Sequence, residues 1–334
     1  MKSIVASDIS EITAFQIDQR PVFKVKFRDG TFLVLKAEFH NGLKVGAVSD
    51  SSVLWAGRMM QQATPSLQVE ILTQQEMNAL RWVHHNCFQP LAVRAYLLNF
   101  LTGNTLYKMP YFQNLRVADE MSVAGKAGKL LGKLKGNAAT LQGLGQVVAV
   151  DIFNGNYDRF HLDGGLSDSN LLFVKNPDKS YTAVGIDFYQ AQGMASNLVA
   201  DPPISRGASS QGLTEMNWGG PILVNDRTRM EYASKCIISL NNMFRKDLGH
   251  VAADALLGPI DAGEFANGLK FGAQNLRAYL VKEAAKGTLP PGVLTRMSLL
   301  NWAWSATPAP VRPGGQTPDK PGFTHKGVFF ENRP

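Results

Sequence analysis

Residues 151–188 constrain the fold of this chain more than any other stretch, because polar side chains bracket two short apolar runs. Asn170 opens the first run, Asp187 closes the second, and Asp158 lies upstream in an Asn-Tyr-Asp-Arg loop. Short apolar runs bounded by turn residues are typical of strands. The stretch therefore predicts a β-hairpin over 170–188, flanked by Asn170 and Asp187.

Side chains of these types in this order suit one kind of chemistry. Phosphoryl transfer uses an acid beside the nucleophile, followed by two oxygen ligands for the Mg²⁺ that accompanies ATP. Mg²⁺ prefers hard oxygen donors, and a hairpin holds such donors on rigid backbone. The order Asp158, Asn170, Asp187 therefore predicts a site that handles phosphate and Mg²⁺.

The composition is that of a globular protein and selects no partner class. The chain has 334 residues, of which 45% are apolar and 18% charged, enough for one two-lobed domain or two domains. The net charge of +7 fits nucleic acid, acidic membranes and nucleotides equally well. No interleaving of basic and aromatic residues favours specific nucleic-acid binding.

Signals for localisation are few. Cys87 and Cys236 are the two cysteines of the chain, which favours a reducing compartment over a disulfide framework. Residues 1–15 lack the long apolar segment of a Sec signal, and no run of apolar residues is long enough for a transmembrane segment. We therefore expect a cytoplasmic protein, or one exported without a Sec signal into a host or target cell.

The residue pattern predicts a mixture of strands and helices. The predicted strands are 12–17, 22–27, 31–36, 91–100 and 105–112, with an Asp29-Gly30 hairpin turn. The predicted helices are 51–63, 74–85, 117–135, 138–153, 225–247, 250–257, 262–285 and 291–303. Thr73 with Glu76 predicts a capping box at the start of the second helix. Residues 192–222 predict a long loop.

This order of elements predicts an α+β fold in two lobes. A small β-rich N-terminal lobe is expected over residues 1–112, and a larger, mainly helical C-terminal lobe that contains the Asp158 loop over 113–304. Residues 305–334 are rich in Pro and Gly and predict an extended tail.

Five short motifs occur in the order found in one superfamily. They are Val34-Leu35-Lys36, Tyr107-Lys108-Met109-Pro110-Tyr111-Phe112, Gly155-Asn156-Tyr157-Asp158-Arg159, Asn170-Leu171-Leu172-Phe173-Val174 and Gly185-Ile186-Asp187-Phe188. With this ordered set, residues 12–190 resemble the protein-kinase-like superfamily. The atypical branches are more similar than ordinary eukaryotic protein kinases; they include phosphoinositide kinases, HipA-type toxin kinases and secretory-pathway kinases of the Golgi.

The resemblance implies a role for each matching residue. Asp158 would accept or orient the proton of the acceptor hydroxyl, and Asn170 and Asp187 would hold Mg²⁺ across the phosphates. Lys36 would pair with the α- and β-phosphates of ATP, and Glu76 would pair with Lys36 from the equivalent of helix C. The backbone from Met109 through Tyr111 to Phe112 would bind adenine.

The chain departs from the superfamily pattern at three places. Eleven residues separate Asp158 from Asn170, where the usual spacing leaves four, so an insertion must loop out. Residues 18–21 replace the Gly-rich phosphate loop between the first two strands. Asp187 is followed by Phe-Tyr and lacks the glycine of the usual motif, which argues against ordinary activation-loop switching.

Several of these residues have other interpretations. Asp158 also fits a turn aspartate paired with Arg159, and Asp163 or Asp168 in the insertion is a rival acid or metal ligand. Lys36 follows three apolar residues, and a half-buried lysine needs an anionic partner. The candidate partners are phosphate and the carboxylates of Glu38, Glu70 and Glu76.

Other patterns are not interpreted as catalytic or ligand sites. Residues 125–129 lack the spacing and the Ser/Thr of a Walker A loop, and Gly143-Leu144-Gly145 lacks the preceding strand of a dinucleotide fingerprint. His84, His85 and His161 have no zinc-ligand spacing with either cysteine.

A basic helical face is expected between residues 126 and 133. Lys126, Lys129 and Lys133 recur at helical spacing. They form either a solvated face or a docking surface for an acidic partner or an anionic lipid.

The sequence thus predicts an ATP- and Mg²⁺-dependent phosphotransferase, an atypical kinase. It would transfer the γ-phosphoryl group to a hydroxyl on a protein rather than on a lipid or small molecule, and it would act as a secreted effector or toxin. One alternative is AMP transfer on the same fold, in which ATP would lose pyrophosphate. The other is an inactive pseudokinase that serves as a binding module.

Overall fold

An antiparallel β-sheet and a group of helices make up most of the described part of the chain, so the fold is of the mixed α+β class. The computed structural model describes residues 1–16, 22–38, 50–86, 105–112, 115–116, 124–156, 159–161, 164, 171–176, 181–186, 219–302, 322–325 and 328–331.

The first strands form a five-stranded antiparallel sheet in the order β1-β2-β3-β5-β4. The strands are β1 (Ile9–Gln16), β2 (Val22–Phe27), β3 (Phe32–Glu38), β4 (Glu70–Ile71) and β5 (Thr105–Pro110). Gly30 has the positive φ of 83° that the turn between β2 and β3 requires. The predicted strands 12–17, 22–27, 31–36 and 105–112 are confirmed, while the predicted strand 91–100 lies outside the described residues.

Two helices between β3 and β5 cover opposite faces of this sheet. They are α1 (Asp50–Ala63) and α2 (Gln74–Asn86), in agreement with the predicted helices 51–63 and 74–85. Side chains of α2 join one core with alternate residues of the strands: Leu80 and Val83 with Phe23, Val25, Leu33 and Leu35. Side chains of α1 join Tyr107 and Met109 in a second core, which continues into the helices that follow.

Five further helices form the larger part of the described chain. They are α3 (Ala124–Leu134), α4 (Ala138–Asn154), α5 (Asp226–Leu248), α6 (Pro259–Ala285) and α7 (Pro291–Leu299), and residues 219–224 are also helical. They largely confirm the predicted helices. One exception is 250–257, where the structure has only a 3-10 turn at Ala253–Ala255.

Local hydrogen bonding explains why residues 250–257 do not form an α-helix. Gly249 has a positive φ of 72° and ends α5. The Asn241 side chain then binds both the N–H and the C=O of Leu257, at 3.0 and 2.9 Å, so these backbone groups have a side-chain partner. The next helix starts earlier than predicted, at Pro259, because Pro suits the first helical position and Asp261 accepts from the Gly258 N–H at 2.7 Å.

Helices α4 and α6 cross at very short range. A methyl group on Gly268 would lie 2.1 Å from the Gln142 carbonyl oxygen, and one on Gly145 would lie 2.3 Å from the Phe265 carbonyl oxygen. A methyl group on Gly272 would meet the Gln146 backbone at 2.7 Å. The glycine of the rejected dinucleotide motif, Gly145, therefore serves helix packing.

A three-stranded antiparallel sheet, in the order β6-β7-β8, lies against the helical part. Its strands are β6 (Leu115–Arg116), β7 (Leu171–Lys175) and β8 (Tyr181–Gly185), and β7 with β8 confirms the predicted hairpin. Strand β8 is anchored by two threonines: the Thr140 hydroxyl donates to the Tyr181 carbonyl at 2.8 Å and the Thr64 hydroxyl to the Ala183 carbonyl at 3.2 Å.

Two predicted irregular regions contain regular structure. The tail predicted as extended includes a two-stranded antiparallel hairpin, β9 (Gly322–His325) and β10 (Val328–Glu331). Its strands contain Phe, Thr and Val, which favour β-structure, but the Pro- and Gly-rich composition of the whole segment obscures this local signal. Of the predicted loop 192–222, residues 219–222 are helical and the others lie outside the described residues. Among the described helices, none has the length and apolar character of a membrane span.

We predict opposite effects for alanine at two glycines of the helical part. Gly268→Ala places a methyl group against the Gln142 backbone and should lower the free energy of unfolding by about 1–3 kcal/mol. Gly143→Ala, on α4 with no atom near its new methyl group, should be neutral or stabilising by up to about 1 kcal/mol. Urea unfolding monitored by circular dichroism measures both, and equal effects would contradict the packing described.

Candidate functional site

The three residues expected to carry the chemistry, Asp158, Asn170 and Asp187, lie outside the described residues, as do Asp163 and Asp168. Residues close in sequence to Asp158, Asn170 and Asp187 are described and define the surroundings of the candidate site. These neighbours are Asn156, Arg159, Leu171 and Ile186.

Helix α4 ends at Gly155, three residues before Asp158 in sequence. Gly155 takes the left-handed conformation, with φ 68°, and its N–H donates to the carbonyls of Asp151 and Ile152. The Asn156 N–H donates to the Asp151 carbonyl at 2.8 Å, and the Asn156 side-chain amide donates to Asp151 Oδ1 at 3.3 Å. Asn156 is therefore fixed relative to the last turn of α4.

Arg159 is the best-anchored side chain of this region. Its residue exposure is 0%, and that of Asp151 is 2%. The Arg159 Nε donates to Asp151 Oδ2 at 2.5 Å, Nη2 donates to Asp151 Oδ1, and Nη1 donates to the carbonyl oxygen of Ile186. One guanidinium thus connects α4, the segment after Asp158 and the residue before Asp187.

Gly185 makes room for this guanidinium at the end of β8. A methyl group at Gly185 would lie 3.0 Å from Arg159 Cζ and 2.9 Å from Val147 Cγ1. The glycine of the Gly-Ile-Asp motif is therefore required by close packing. In the β7–β8 register Leu171 pairs with Gly185, so Asn170 precedes and Asp187 follows the same end of the hairpin in sequence.

Lys36 lies on the sheet face that carries Tyr107 and Met109. It pairs with Tyr107 in the β3–β5 register, and directly opposite residues of an antiparallel pair project to the same face. Lys36 is partly exposed, whereas Met109 is 5% exposed and belongs to the core. The expected backbone contacts of Met109 and Tyr111 with adenine stay predictions.

An aromatic pair marks the other end of this face. The ring centroids of Phe32 and Tyr111 are 5.4 Å apart, and Lys24 Nζ lies 4.2 Å from each. Lys24 pairs with Val34 in the β2–β3 register, so both project to the same side as Lys36. A cation above two rings of this kind stabilises their positions.

The predicted ion pair of Lys36 with Glu76 is wrong, because Glu76 binds Lys108. Glu76 Oε1 accepts from Lys108 Nζ at 2.5 Å, and Glu70 Oε2 lies 3.1 Å from the same Nζ. Lys108 pairs with Leu35 in the register and therefore projects to the opposite face from Lys36. Helix α2 packs on the Lys108 face, so it does not have the position expected for a helix-C equivalent.

The predicted capping box at Thr73 and Glu76 is confirmed. The Thr73 hydroxyl accepts from the Glu76 N–H at 3.2 Å, and Glu76 Oε2 accepts from the Thr73 N–H at 3.0 Å. Burial alone raises the pKa of Glu76, but hydrogen bonds from Lys108 and from the N–H groups of Thr73 and Ile4 outweigh it, so the pKa lies below its ordinary value.

The remaining polar candidates form no second site among the described residues. Lys133 is exposed, and the side chains of Lys126 and Lys129 lie outside the description, as do those of His84 and His85. His161 is exposed. No three His, Cys, Asp or Glu side chains within the described ranges converge on a possible metal position.

Two residues of this region escaped the sequence analysis. Asp151 stands in the apolar run at the end of α4, and an acid there signals a buried partner. Lys108 lies in the alternating pattern of β5 at a position that faces a core, which is a comparable signal. In neither case does the sequence identify the partner. The partner of Asp151, Arg159, lies beyond the end of the helix, and the partner of Lys108, Glu76, lies on a different element.

Comparison with known proteins gives likeness in structure but none in sequence. No known protein family and no curated protein matches the sequence. Among solved structures, the chain is similar to the kinase domain of maize SIRK1, a sucrose-induced receptor kinase, in a crystal structure with AMP-PNP. The identity is 12%, the TM-score 0.28, and the match covers 87% of this chain and 92% of that chain. A likeness at this level assigns neither a family nor an activity.

We predict that Lys108→Met destabilises the protein by about 3 kcal/mol, because removal of the cation leaves two carboxylates facing each other near a core. Arg227→Met is the matched control: it breaks an exposed pair with Glu231 and should change stability by less than about 0.5 kcal/mol. Urea unfolding at neutral pH compares the two. Equal stability of Lys108→Met and wild type would show that the cluster of Lys108, Glu70 and Glu76 makes no net contribution to the free energy of unfolding.

We also predict acid sensitivity from Glu76. Because its pKa is lowered in the folded state, its stabilisation is complete above the ordinary value of about 4.3 and is lost as pH falls through the folded-state pKa. The free energy of unfolding should therefore fall less steeply for Glu76→Gln than for wild type between about pH 5 and pH 3. Glu231→Gln, at an exposed position, should keep the wild-type slope.

Proposed function

We propose that this chain is an ATP-dependent phosphotransferase with a two-lobed, kinase-like fold. The observation that carries the proposal is the hydrogen-bonded connection from Arg159 to the Ile186 carbonyl. It links the side chain of Arg159, the residue after Asp158 in sequence, to the backbone of Ile186, the residue before Asp187. A phosphoryl-transfer site needs such closeness, because the acid at the acceptor and the ligands around the phosphates act on the same group.

The proposed division into lobes keeps the bounds predicted from the sequence, and one of the two hydrophobic cores extends across the boundary between the lobes. Residues 1–112 would form the N-lobe, 113–304 the C-lobe and 305–334 a tail. The core beneath α2 contains side chains of the sheet and α2, whereas the core around α4 and α6 extends to α1, Tyr107 and Met109. A nucleotide would bind along the sheet face shared by Lys36, Val34 and Met109.

Each residue of the proposed site has one task. Asp158 would orient the acceptor hydroxyl and take its proton, and Lys36 would bind the α- and β-phosphates. Backbone groups near Met109 and Tyr111 would bind adenine, with Tyr111 held by Lys24 and Phe32. Glu76 has no task in the site, since it belongs to the Lys108 cluster on the opposite face.

Asn170 and Asp187 would hold Mg²⁺, since amide and carboxylate oxygens are the donors that this ion prefers. Bound there, Mg²⁺ would neutralise charge on the transferred phosphoryl group. Both residues adjoin the end of the hairpin where Leu171 pairs with Gly185. Arg159 binds the Ile186 carbonyl next to that end, which would give the ligands a rigid base.

The acceptor is proposed to be a hydroxyl on another protein. This chain is proposed to act as an exported effector. The exposed Lys133, with Lys126 and Lys129, would contribute a docking surface for an acidic partner or an anionic lipid.

The test is label transfer from ATP labelled on the γ- or the α-phosphate, with Mg²⁺ and a cell lysate as the source of acceptors. We expect label from the γ-phosphate, and a loss of about 10²–10³-fold or more in Asp187→Ala, as when other groups that stabilise transition-state charge are removed. Asp254→Ala, an exposed aspartate in the 3-10 turn, is the matched control and should keep full transfer.

The other outcomes are equally informative. Label from the α-phosphate would establish AMP transfer on this fold in place of kinase activity. The absence of either label on any protein, together with nucleotide binding, would establish a pseudokinase. Full transfer by Asp187→Ala would overturn the site assignment.

A further inference from the structure

Resting on the proposed function, we propose that Asp151 and Arg159 form a positioning pair that sets the geometry between the Mg²⁺ ligands and the acceptor acid. Neither residue would touch substrate. The pair would act through the backbone carbonyl of Ile186, one peptide before Asp187, and through the backbone of Arg159 itself, one peptide after Asp158.

The Arg159 guanidinium binds a different group on each of two sides, a carboxylate and a backbone carbonyl. Nε and Nη2 both bind the Asp151 carboxylate, a two-point contact that fixes the plane of the guanidinium, and Nη1 binds the Ile186 carbonyl. The planar fork cannot rotate about one bond while it keeps the others. Together with the bond from Thr140 of α4 to the Tyr181 carbonyl, the guanidinium therefore fixes the spacing between α4 and β8, and it does so at the end of β8 that precedes Asp187.

Stability alone does not account for this arrangement. A buried ion pair loses most of its attraction to the cost of removing both charges from water, and apolar side chains of similar volume are often as stable or more stable. Arg159 and Asp151 are nevertheless almost completely buried. What an apolar replacement would not supply is the hydrogen bond to the Ile186 carbonyl.

Both elements that Arg159 connects, α4 and β8, are held by other contacts. The hydrogen bonds of Arg159 therefore act between two rigid elements. On one side, Asp151 lies on α4, whose glycine Gly145 packs directly on the α6 backbone. On the other, β8 is held by Thr64 through the Ala183 carbonyl and by Thr140 through the Tyr181 carbonyl. Consecutive Cα atoms are about 3.8 Å apart, so Asp158 and Asp187 each lie one residue from a fixed point.

The experiment compares Arg159→Lys and Asp151→Asn with wild type in two measurements. The first is calorimetric ATP affinity with and without Mg²⁺; the second is phosphoryl transfer as a function of Mg²⁺ concentration. We expect the Mg²⁺-dependent gain in ATP affinity to fall by about tenfold or more, while affinity without Mg²⁺ changes less than about twofold. Transfer should fall by about 100-fold, the loss that a displacement of about 1 Å produces.

Arg229→Lys is the matched control. Arg229 is also a buried arginine that binds an aspartate, Asp226, and two backbone carbonyls, those of Ile222 and Leu223. Its replacement removes a comparable fork from the helical part without touching α4 or β8. The Mg²⁺-dependent gain in ATP affinity should stay at the wild-type value.

Gly185→Ala provides a variant that keeps both charges. Its methyl group would lie 2.9 Å from Val147 Cγ1 and 3.0 Å from Arg159 Cζ, so it crowds both the valine and the guanidinium. It should therefore lower the Mg²⁺-dependent gain in the same direction even if the other two variants fail to fold. A wild-type gain in Gly185→Ala, or in Arg159→Lys, would overturn the inference. Absence of transfer and of Mg²⁺-dependent ATP binding in the wild-type protein would instead overturn the proposed function.

Discussion

The buried ion pair of Asp151 and Arg159 is the interaction on which the arrangement of the candidate site depends. A guanidinium with no access to water must find acceptors for its N–H groups within the protein. Two are the carboxylate oxygens of Asp151 and one is the Ile186 carbonyl. The requirement to satisfy one buried cation thus joins the end of α4 and the segment that follows it to the end of β8, 27 residues further along the chain, and the absence of a side chain at Gly185 leaves space for the guanidinium.

The five-stranded sheet separates two electrostatic environments by strand register alone. Lys36 and Lys108 are opposite Tyr107 and Leu35, respectively, on neighbouring strands, so they project to different faces. Lys108 is enclosed by Glu70 and Glu76 beneath α2. Lys36 lies with the aromatic residues on the face toward the helical part. A single-residue shift of β5 would exchange the two environments.

Local patterns in the sequence predicted most elements and failed where a partner lies far away. The β-hairpin at Gly30, the capping box at Thr73 and the helices up to α7 follow from turn, cap and periodicity rules that involve neighbouring residues. The predicted partner of Glu76 is wrong because sheet register decides whether Lys36 or Lys108 projects to the face that α2 covers. The importance of Asp151 was missed because its partner Arg159 lies beyond a helix terminus, where no periodicity connects them.

The glycine contacts between α4 and α6 prevent one helix from moving without the other. Side chains at a helix interface can change rotamer and take up a small shift, but backbone against backbone has no such freedom. Helix α6 spans 27 residues, about 40 Å at 1.5 Å per residue. A change in the tilt of α6 that starts at its exposed end, far from the candidate site, would therefore shift α4 as well. Because Asp151 lies on α4, the position of the Arg159 guanidinium would shift with it.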